Sequence, residues 1–320
     1  MPVKGEEPSL QTGLVVASHG RHLDVLDEAG VRHAGRLHGR GLRVVCGDRV
    51  LFSYAGQGDD QADVHSRLPR THLLERLNGR GLAEPVVANL TQLIVVVGPE
   101  PKPDWDIVDR YFAGAEWSGL KAGVVLNKCD LPGAADPQLQ KEIASYAKLG
   151  YPALSCSTRH DPGTAALAAQ LSGQSSVLVG QSGTGKSSLL NALVPEARAI
   201  TQEISAANLE GKHTTTTAAL HHLSSGGCLI DSPGVRDYAP PLPLARQIGE
   251  GFREITRLAA QCRFADCLHR TEPACAVREA ALQGTISSRR YGSYQRLLDL
   301  VARFEGPPRK DAPRGKGRTG

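Results

Sequence analysis

The chain has 320 residues, a formal net charge of +4 and 40% hydrophobic residues. This length accommodates about two domains, and no apolar run approaches the ~18 residues that a membrane-spanning helix needs. The first residues lack the apolar core of a secretory signal. We therefore expect a cytoplasmic protein of two or three domains that does not contact a membrane.

Positive charge is concentrated in two stretches of the chain. Residues 31–50 carry Arg32, Arg36, Arg40, Arg43 and Arg49 against Asp48 alone. The tail from residue 306 carries Arg309, Lys310, Arg314, Lys316 and Arg318 against Asp311. Such clusters suit nucleic-acid phosphates, although an ordinary solvated surface explains either of them equally well.

Residues 11–75 form the first predicted domain, after a flexible N-terminus at residues 1–10. Short strand-like pieces at residues 12–17, 23–26 and 47–54 alternate with glycines, which predicts a small β-barrel. An OB-type barrel fits the length and the arginines, but periodicity does not separate it from an SH3-like barrel. Residues 56–60 are expected to form a polar turn, and residues 68–76 to lead out of the barrel.

Residues 76–240 are predicted to form an α/β domain. Apolar strands at residues 93–97, 123–126, 153–155, 177–179 and 228–230 alternate with helical stretches near residues 105–116 and 139–149. This alternation predicts a parallel sheet, with residues 160–176 as a bridge between its halves. Residues 241–305 are expected to form a mostly helical third domain, and residues 306–320 a disordered basic tail.

Residues 180–187 read Gly-Gln-Ser-Gly-Thr-Gly-Lys-Ser and fit the G-x-x-x-x-G-K-[ST] pattern of a phosphate loop. The segment follows an apolar run and leads into a helical pattern, as a phosphate cradle requires. Its glycines would let backbone N–H groups turn inward, Lys186 would contact the β- and γ-phosphates, and Ser187 would bind magnesium. The candidate nucleotide-binding residues are Gly180, Gln181, Ser182, Gly183, Thr184, Gly185, Lys186, Ser187 and Ser188.

Residues 127–130 read Asn-Lys-Cys-Asp, an N-K-x-D signature at the end of an apolar strand. The Asp130 carboxylate would accept two N–H bonds from guanine, a donor pair that adenine lacks. Alone, the signature could be a helix-capping turn, but beside a phosphate loop it favours guanine binding. The segment Ser155-Cys156-Ser157, after the next strand, suits backbone contact with the guanine oxygen. The candidate base-binding residues are Asn127, Lys128, Cys129, Asp130, Ser155 and Cys156.

Two further segments are expected to sense the γ-phosphate. Residues 231–234 fit D-x-x-G, so Asp231 would hold magnesium through water and the Gly234 N–H would contact the γ-phosphate. The run at residues 214–217 supplies a threonine for the metal, with Thr214, Thr215 and Thr216 as alternatives. Val235 stands where many GTPases have a water-orienting glutamine, which predicts slow intrinsic turnover. His213 is the candidate catalytic substitute, or a loop residue with no catalytic part.

Three of the seven cysteines crowd around one histidine in the C-terminal part of the chain. Cys262, Cys267, His269 and Cys275 form the pattern C-x4-C-x-H-x5-C. In a cytosolic chain such a cluster binds metal more often than it forms disulfides. Three thiolates and one imidazole make a closed tetrahedral set, which predicts one structural Zn²⁺ ion. The alternative is three unrelated core cysteines.

GTPases ordinarily place N-K-x-D after the phosphate loop, and here it comes first, so the chain resembles a circularly permuted GTPase. The segments at residues 180–188, 211–216, 231–236 and 262–275, with Leu68-Pro-Arg, resemble the ribosome small-subunit-dependent (RsgA-type) GTPase family across roughly residues 12–300. The resemblance implies an N-terminal OB-type β-barrel, a central α/β circularly permuted P-loop GTPase and a C-terminal, mostly α zinc-binding domain. Thr184 departs from it, since valine is frequent there.

The resemblance also implies a GTP hydrolase that binds GTP or GDP with Mg²⁺. Its partners would be the small ribosomal subunit, which activates hydrolysis in the family, and the rRNA of that subunit during late maturation. One alternative is a GTP-gated RNA-binding or chaperone module in which hydrolysis is incidental. Another is an unrelated P-loop ATPase or kinase, which Asp130 argues against. No heptad pattern or apolar stripe demands an oligomer, so we expect a monomer.

Overall fold

The computed structural model of the chain describes residues 9–19, 22–39, 41–56, 59–77, 82–160, 162–195, 218–232 and 240–305. Its internal contacts divide the chain into two compact units, Met1–Pro241 and Leu242–Gly320. Among the helices in these described ranges, none is both long and apolar enough to cross a membrane.

The first unit begins with a closed β-barrel. Its strands are β1 (Gln11–His19), β2 (His22–Asp27), β3 (Arg32–Leu37), β4 (Arg49–Gly56) and β5 (Asp59–Arg67). They are ordered β1-β2-β3-β5-β4, and β4 returns to pair with β1. Alternate side chains point inward, and Val25, Val50, Phe52 and Val64 fill the interior. The predicted β-barrel is confirmed.

Two details of the barrel differ from the sequence prediction. Strands β3 and β5 were missed, because polar and small residues interrupt their apolar pattern; they pair in parallel. Residues 56–60 are not one turn, since Gly56 pairs with Asp59 and both belong to strands. Residues 57–58 between them lie outside the described part.

The segment after the barrel is an ordered connection. Strand β6 (Leu73–Leu77) begins within the stretch at residues 68–76 that was expected only to lead out of the barrel, and it pairs antiparallel with β7 (Ala83–Ala88) in a separate two-stranded sheet. Ahead of it, the guanidinium of Arg70 binds both carboxylate oxygens of Asp48 at 2.7 Å. Asp48 is completely buried, and a bidentate pair of this kind fixes geometry as well as charge. Arg70 therefore anchors the residues that leave the barrel.

The nucleotide-domain sheet contains β8 (Gln92–Val97), β9 (Lys121–Leu126), β10 (Ala153–Ser155), β11 (Ser175–Val179), β12 (Ala218–His222) and β13 (Cys228–Asp231). Its order is β10-β9-β8-β11-β13-β12, with all neighbours parallel except β12. The predicted strands are confirmed to within two residues. Strand β11 begins at Ser175, two residues earlier than expected. The segment at residues 160–176, which was interpreted as a bridge, also contains a helix at Ala165–Leu171.

Helices cover both faces of this sheet. They are α1 (Trp105–Trp117), α2 (Pro137–Lys148), α3 (Ala165–Leu171) and α4 (Lys186–Leu193), with a short 3-10 helix at Pro132–Ala135. Side chains of β8 alternate between two clusters, so that Val95 packs in the cluster containing Phe112 and Val96 in the one containing Leu167. Burial on both faces explains the continuous apolar run of β8.

The barrel and the nucleotide sheet are joined by pairing between β1 of the barrel and β12, the edge strand of the nucleotide sheet. Ala17 and Ser18 of β1 pair antiparallel with Ala219 and Ala218 of β12. The result is one continuous sheet of eleven strands. This pairing satisfies backbone groups that would otherwise be exposed on the edge strand β12.

The second unit is helical in its described residues. It contains a 3-10 helix at Ala245–Gly251, then α5 (Arg253–Ala259), α6 (Ala276–Leu282) and α7 (Ser288–Glu305). Arg290 is only 1% exposed, and its guanidinium binds the Glu254 carboxylate at 2.5 and 3.1 Å. The same guanidinium lies 5.2 Å from the ring centre of Phe252. Burial of Arg290 is tolerated because its charge has a paired partner.

Candidate nucleotide site and metal cluster

The phosphate loop runs from the end of β11 to the start of α4. Gly180, Gly183 and Gly185 have φ angles of 143°, 85° and 91°, a region that favours glycine. A Cβ atom at Gly180 would lie 2.2 Å from the Val96 carbonyl oxygen, and one at Gly185 2.3 Å from Asn127 Nδ2. The glycines are therefore required both by backbone conformation and by close packing.

Lys186 is the first residue of α4 and folds back over its own loop. Its Nζ donates to the carbonyl oxygens of Gly180 at 2.6 Å and Gln181 at 2.7 Å. Lys186, Ser187 and Asp231 line one cleft. The structure thus brings the two candidate magnesium ligands to the same cleft as the candidate phosphate-binding lysine.

The predicted guanine motif lies directly against this loop. Asn127 is 1% exposed, and its Nδ2 donates to the Thr184 carbonyl oxygen at 2.9 Å. Lys128 Nζ donates to the carbonyl oxygens of Gly183 at 2.6 Å and Glu100 at 2.9 Å. Two segments far apart in sequence are therefore held together by hydrogen bonds. This geometry allows one nucleotide to reach both.

Asp130 lies at the exposed end of this motif. A hydrogen bond from the Ser157 hydroxyl lowers the pKa of its carboxyl, and the nearby His160 and Arg159 act in the same direction. Ser157 is buried, and its Oγ accepts the backbone N–H groups of Arg159 at 3.1 Å and His160 at 3.2 Å. Ser157 belongs to the segment 155–157 that was expected to contact the guanine oxygen through its backbone. The hydrogen bond of its side chain to Asp130 was not predicted.

Cys129 and Cys156, the two cysteines of the candidate base-binding segments, lie just after the ends of β9 and β10. The Cys129 N–H donates to the Cys156 carbonyl oxygen at 3.2 Å, and Cys156 Sγ lies 3.7 Å from Asn127 Oδ1. Burial raises the pKa of Cys156 to about 12, so this side chain is a neutral thiol. Burial also raises the pKa of Cys129. Ser155 ends β10 with its side chain exposed.

The loop at residues 98–104 contacts both the base motif and the phosphate loop, and the sequence analysis did not predict these contacts. The Glu100 carbonyl binds Lys128, and the Asp104 N–H donates to Gln181 Oε1 at 2.8 Å. The available signal was positional. This loop follows the carboxyl end of β8, the edge at which ligands of parallel sheets bind.

The predicted metal ligands form a compact cluster in the second unit. One ligand atom from each of Cys262, Cys267, His269 and Cys275 lies within 4.8 Å of the others. His269 Nδ1 is 3.4 Å from Cys262 Sγ and 3.5 Å from Cys275 Sγ, and those two sulfurs are 3.9 Å apart. Zinc bonds of about 2.0–2.3 Å to a tetrahedral set imply separations close to these. The four residues fit one zinc ion.

Hydrogen bonds to the backbone support this cluster from outside. The Glu272 carboxylate accepts the N–H groups of Leu268, Arg270 and Thr271 at 2.8, 2.7 and 3.0 Å. Burial opposes ionisation of Glu272, but these donors lower its pKa. The Tyr291 hydroxyl donates to the His269 carbonyl oxygen at 2.5 Å. The loop is therefore pre-shaped around the ligands, as metal sites require.

Comparison with known proteins decides the family. The RsgA GTPase family model matches residues 67–240. A protein of Chromohalobacter salexigens named small ribosomal subunit biogenesis GTPase RsgA is 41% identical over 291 residues, 90% of this chain and 85% of that protein. The protein of that name from Pseudomonas savastanoi pv. phaseolicola is 39% identical over 294 residues, with the same coverage.

This chain belongs to the RsgA GTPase family. The crystal structure of YjeQ from Thermotoga maritima is similar to it with a TM-score of 0.71 and 29% identity, covering 92% of this chain and 99% of that one. YloQ, described as a circularly permuted GTPase, has a TM-score of 0.72 and 21% identity over 93% and 97% of the two chains, which supports the fold alone. The predicted family and the circularly permuted GTPase fold are confirmed.

Not every predicted site residue of this RsgA GTPase can be placed. His213, Thr214, Thr215 and Gly234 lie outside the described residues, so their roles stay predictions. Ser182 and Ser188 are exposed on the phosphate loop and the first turn of α4. The described part brings together the base motif, the phosphate loop and Asp231.

Proposed function

We propose that this chain is a GTP hydrolase that acts in biogenesis of the small ribosomal subunit. Family membership supports the reaction and the process. The observation that carries the site assignment is the contact of Asn127 and Lys128 with the phosphate loop. This contact supports a site in which the segment proposed to bind the base and the segment proposed to bind the phosphates reach one guanine nucleotide.

In this proposal Asp130 accepts the guanine N–H groups, and inward-facing N–H groups of the phosphate loop surround the phosphates. Lys186 turns from the carbonyls of its own loop to the β- and γ-phosphates. Ser187 and Asp231 would hold Mg²⁺, together with one threonine among residues 214–216, and the ion would neutralise phosphate charge. The Gly234 N–H would contact the γ-phosphate, and His213 would orient the attacking water.

Hydrolysis transfers the γ-phosphoryl group to water, so the protein contributes mainly position and charge. Val235 cannot polarise water, because its side chain is apolar. We therefore expect the isolated chain to turn over slowly. Binding of the small subunit would complete the arrangement around the attacking water.

The second unit would hold one structural Zn²⁺ through Cys262, Cys267, His269 and Cys275. Burial raises the pKa of Cys267 to about 12, and a bound zinc ion overcomes this because coordinated thiols are deprotonated. All four positions of a tetrahedral ion are then filled by protein. The metal would supply folding free energy to this small unit.

The RNA-binding role would fall to basic residues that lack acidic partners. Arg32 and Arg36 are paired with Asp24 and Asp63, each at 2.5 Å. Arg49 is exposed on β4 and has no acidic partner within the described ranges, which makes it a better candidate for rRNA phosphates. The division we propose is a barrel at residues 11–75, a nucleotide domain at 76–240 and a zinc-binding domain at 241–305. The chain would act as a cytoplasmic monomer.

GTP turnover measured with and without purified small subunits tests this function. We expect a slow basal rate that rises at least about tenfold when subunits are added. Lys186→Ala is the matched control, because it removes the phosphate contact and should abolish the stimulated rate. An unsubstituted chain that binds GTP but shows no stimulation would favour the RNA-binding or chaperone alternative.

A further inference from the structure

One hydroxyl of the phosphate loop has a role that the proposed function does not use. Thr184 Oγ1 donates to the Gln181 carbonyl oxygen at 3.0 Å, and Thr184 is only 1% exposed. The same carbonyl oxygen accepts Lys186 Nζ at 2.7 Å. Two side chains of the loop therefore bind one acceptor.

These two donors are not equivalent once a nucleotide binds. Lys186 Nζ is held by the carbonyls of Gly180 and Gln181, and it must leave them to contact phosphate oxygens. A carbonyl oxygen that loses its hydrogen-bond donor inside a folded loop raises the free energy of the folded state. Thr184 Oγ1 stays in place, because its donor role does not involve phosphate. When the lysine turns, the Gln181 carbonyl oxygen keeps the hydroxyl at 3.0 Å in addition to the longer bond from the Thr184 backbone N–H at 3.4 Å.

Thr184 is itself held from the opposite side. Its carbonyl oxygen accepts Asn127 Nδ2 at 2.9 Å, and a Cβ atom at the next residue, Gly185, would lie 2.3 Å from that same nitrogen. The hydroxyl and the carbonyl of one residue thus connect the Gln181 end of the loop to the base motif. The turn at residues 181–184 is closed by the side chain as well as by the backbone.

We infer that the Thr184 hydroxyl is a positioning group that raises the affinity of this chain for guanine nucleotides. It keeps the loop in its phosphate-binding shape while Lys186 exchanges carbonyl oxygens for phosphate oxygens. The inference rests on the proposed function, since it assigns Lys186 to the nucleotide.

The test compares Thr184→Val, which keeps the shape and removes the donor, with Thr184→Ser, which restores a hydroxyl. Dissociation constants for GTP and GDP with Mg²⁺ are measured by calorimetry, and KM and kcat by phosphate release. Thr184→Val should weaken both affinities about two- to tenfold, the range for one neutral hydrogen bond. KM should rise by a similar factor and kcat should change less. Thr184→Ser should recover most of the affinity.

Thr91→Val is the matched control. The Thr91 hydroxyl donates to Gln174 Oε1 at 3.0 Å, at the amino ends of β8 and β11 and so at the opposite edge of the sheet from the nucleotide. This variant should lower the melting temperature without changing nucleotide affinity. Equal affinities for Thr184→Val and the unsubstituted chain, or no recovery with Thr184→Ser, would overturn the inference. Failure of the unsubstituted chain to bind GTP would instead refute the proposed function.

Discussion

At the scale of single residues, Asp130 is the residue that we propose selects guanine and so separates this site from those of other P-loop proteins. Its carboxyl is exposed, and the Ser157 hydroxyl beside it lowers its pKa. A group with a lowered pKa stays ionised as the pH falls, until the pH passes that lowered value. Guanine binding through this carboxylate should therefore persist at neutral pH and well into the acidic range.

The substitution Asp130→Asn should change the base preference of the site from guanine to xanthine. An amide presents one donor and one acceptor where the carboxylate presents two acceptors, so it matches the xanthine edge. We expect GTP affinity to fall about 10- to 100-fold, as loss of hydrogen bonds to a charged group implies, and XTP affinity to rise. Competition binding of GTP and XTP measures both.

Asp136→Asn is the control for this prediction. Asp136 caps α2 by accepting the Gln138 N–H at 2.8 Å, and asparagine caps helices equally well. It makes the same chemical change near the base motif without altering the guanine contact. Unchanged guanine preference in Asp130→Asn would remove Asp130 from the base site.

The phosphate loop and the base motif were predictable from the sequence because each is a short local pattern. Their contact also followed, since both segments end parallel strands. Glu100 was not predictable, because it contributes only a backbone carbonyl and any residue type provides one. Ser157 lies in a segment that was predicted to contact the base, but the role of its side chain was not predicted. That role depends on the conformation of its own loop, in which Ser157 Oγ accepts two neighbouring N–H groups.

At the scale of elements, strands of the parallel sheet were easier to predict than strands of the barrel. β8 is buried on both faces and reads as an unbroken apolar run. β3 reads Arg-His-Ala-Gly-Arg-Leu, and its alternate inward residues are His33 and Gly35. Neither is an ordinary core residue, so the alternation that marks a half-buried strand is hidden. Only the pairing with β2 and β5 defines this strand.

Ion pairs between neighbouring strands also change how the positive charge of the barrel is interpreted. The five arginines of residues 31–50 resemble one basic patch in the sequence, yet Asp24 and Asp63 from β2 and β5 neutralise two of them. We predict that Arg49→Ala weakens binding to small subunits and reduces the slope of log affinity against log salt by about 1. Filter binding across a range of KCl concentrations measures the slope.

Arg36→Ala is the comparison for Arg49→Ala. The Arg36 guanidinium already binds Asp63 at 2.5 Å, so its removal should change the salt slope less. Both variants remove one exposed arginine from a barrel strand, which equalises the change in net charge. A larger effect of Arg36→Ala would place the RNA on the β3–β5 side of the barrel instead.

At the scale of the whole molecule, the barrel is part of the nucleotide unit. Strand β1 of the barrel pairs with β12 and so continues the nucleotide-domain sheet. Strand β12 directly follows the threonine run at residues 214–217 that is predicted to supply a metal ligand. This junction could not be read from the sequence, because an edge-to-edge pairing between distant strands leaves no local pattern. The second unit has its own buried residues, including Ile248, Phe252 and Tyr294.

Two units with separate cores should respond to separate ligands. The metal cluster lies wholly within the second unit, and the described nucleotide residues lie within the first. A ligand stabilises only the unit whose native state binds it. We predict that removal of zinc by 1,10-phenanthroline under reducing conditions lowers the melting temperature of the second unit and leaves GDP affinity within about twofold.

Calorimetric scans of the full chain, with and without GDP and with and without chelator, check this. GDP should raise the melting temperature of one transition, and the chelator should lower the melting temperature of the other. Metal analysis should find one zinc ion per chain before treatment. Cys46→Ser provides the control for cysteine loss, because Cys46 is buried between the barrel and the hairpin and far in sequence from the cluster. That variant should retain zinc, whereas Cys275→Ser should lose it and should reproduce the effect of the chelator. If zinc removal instead lowered the melting temperature of the GDP-dependent transition by the same amount, the two units would have to unfold as one cooperative unit.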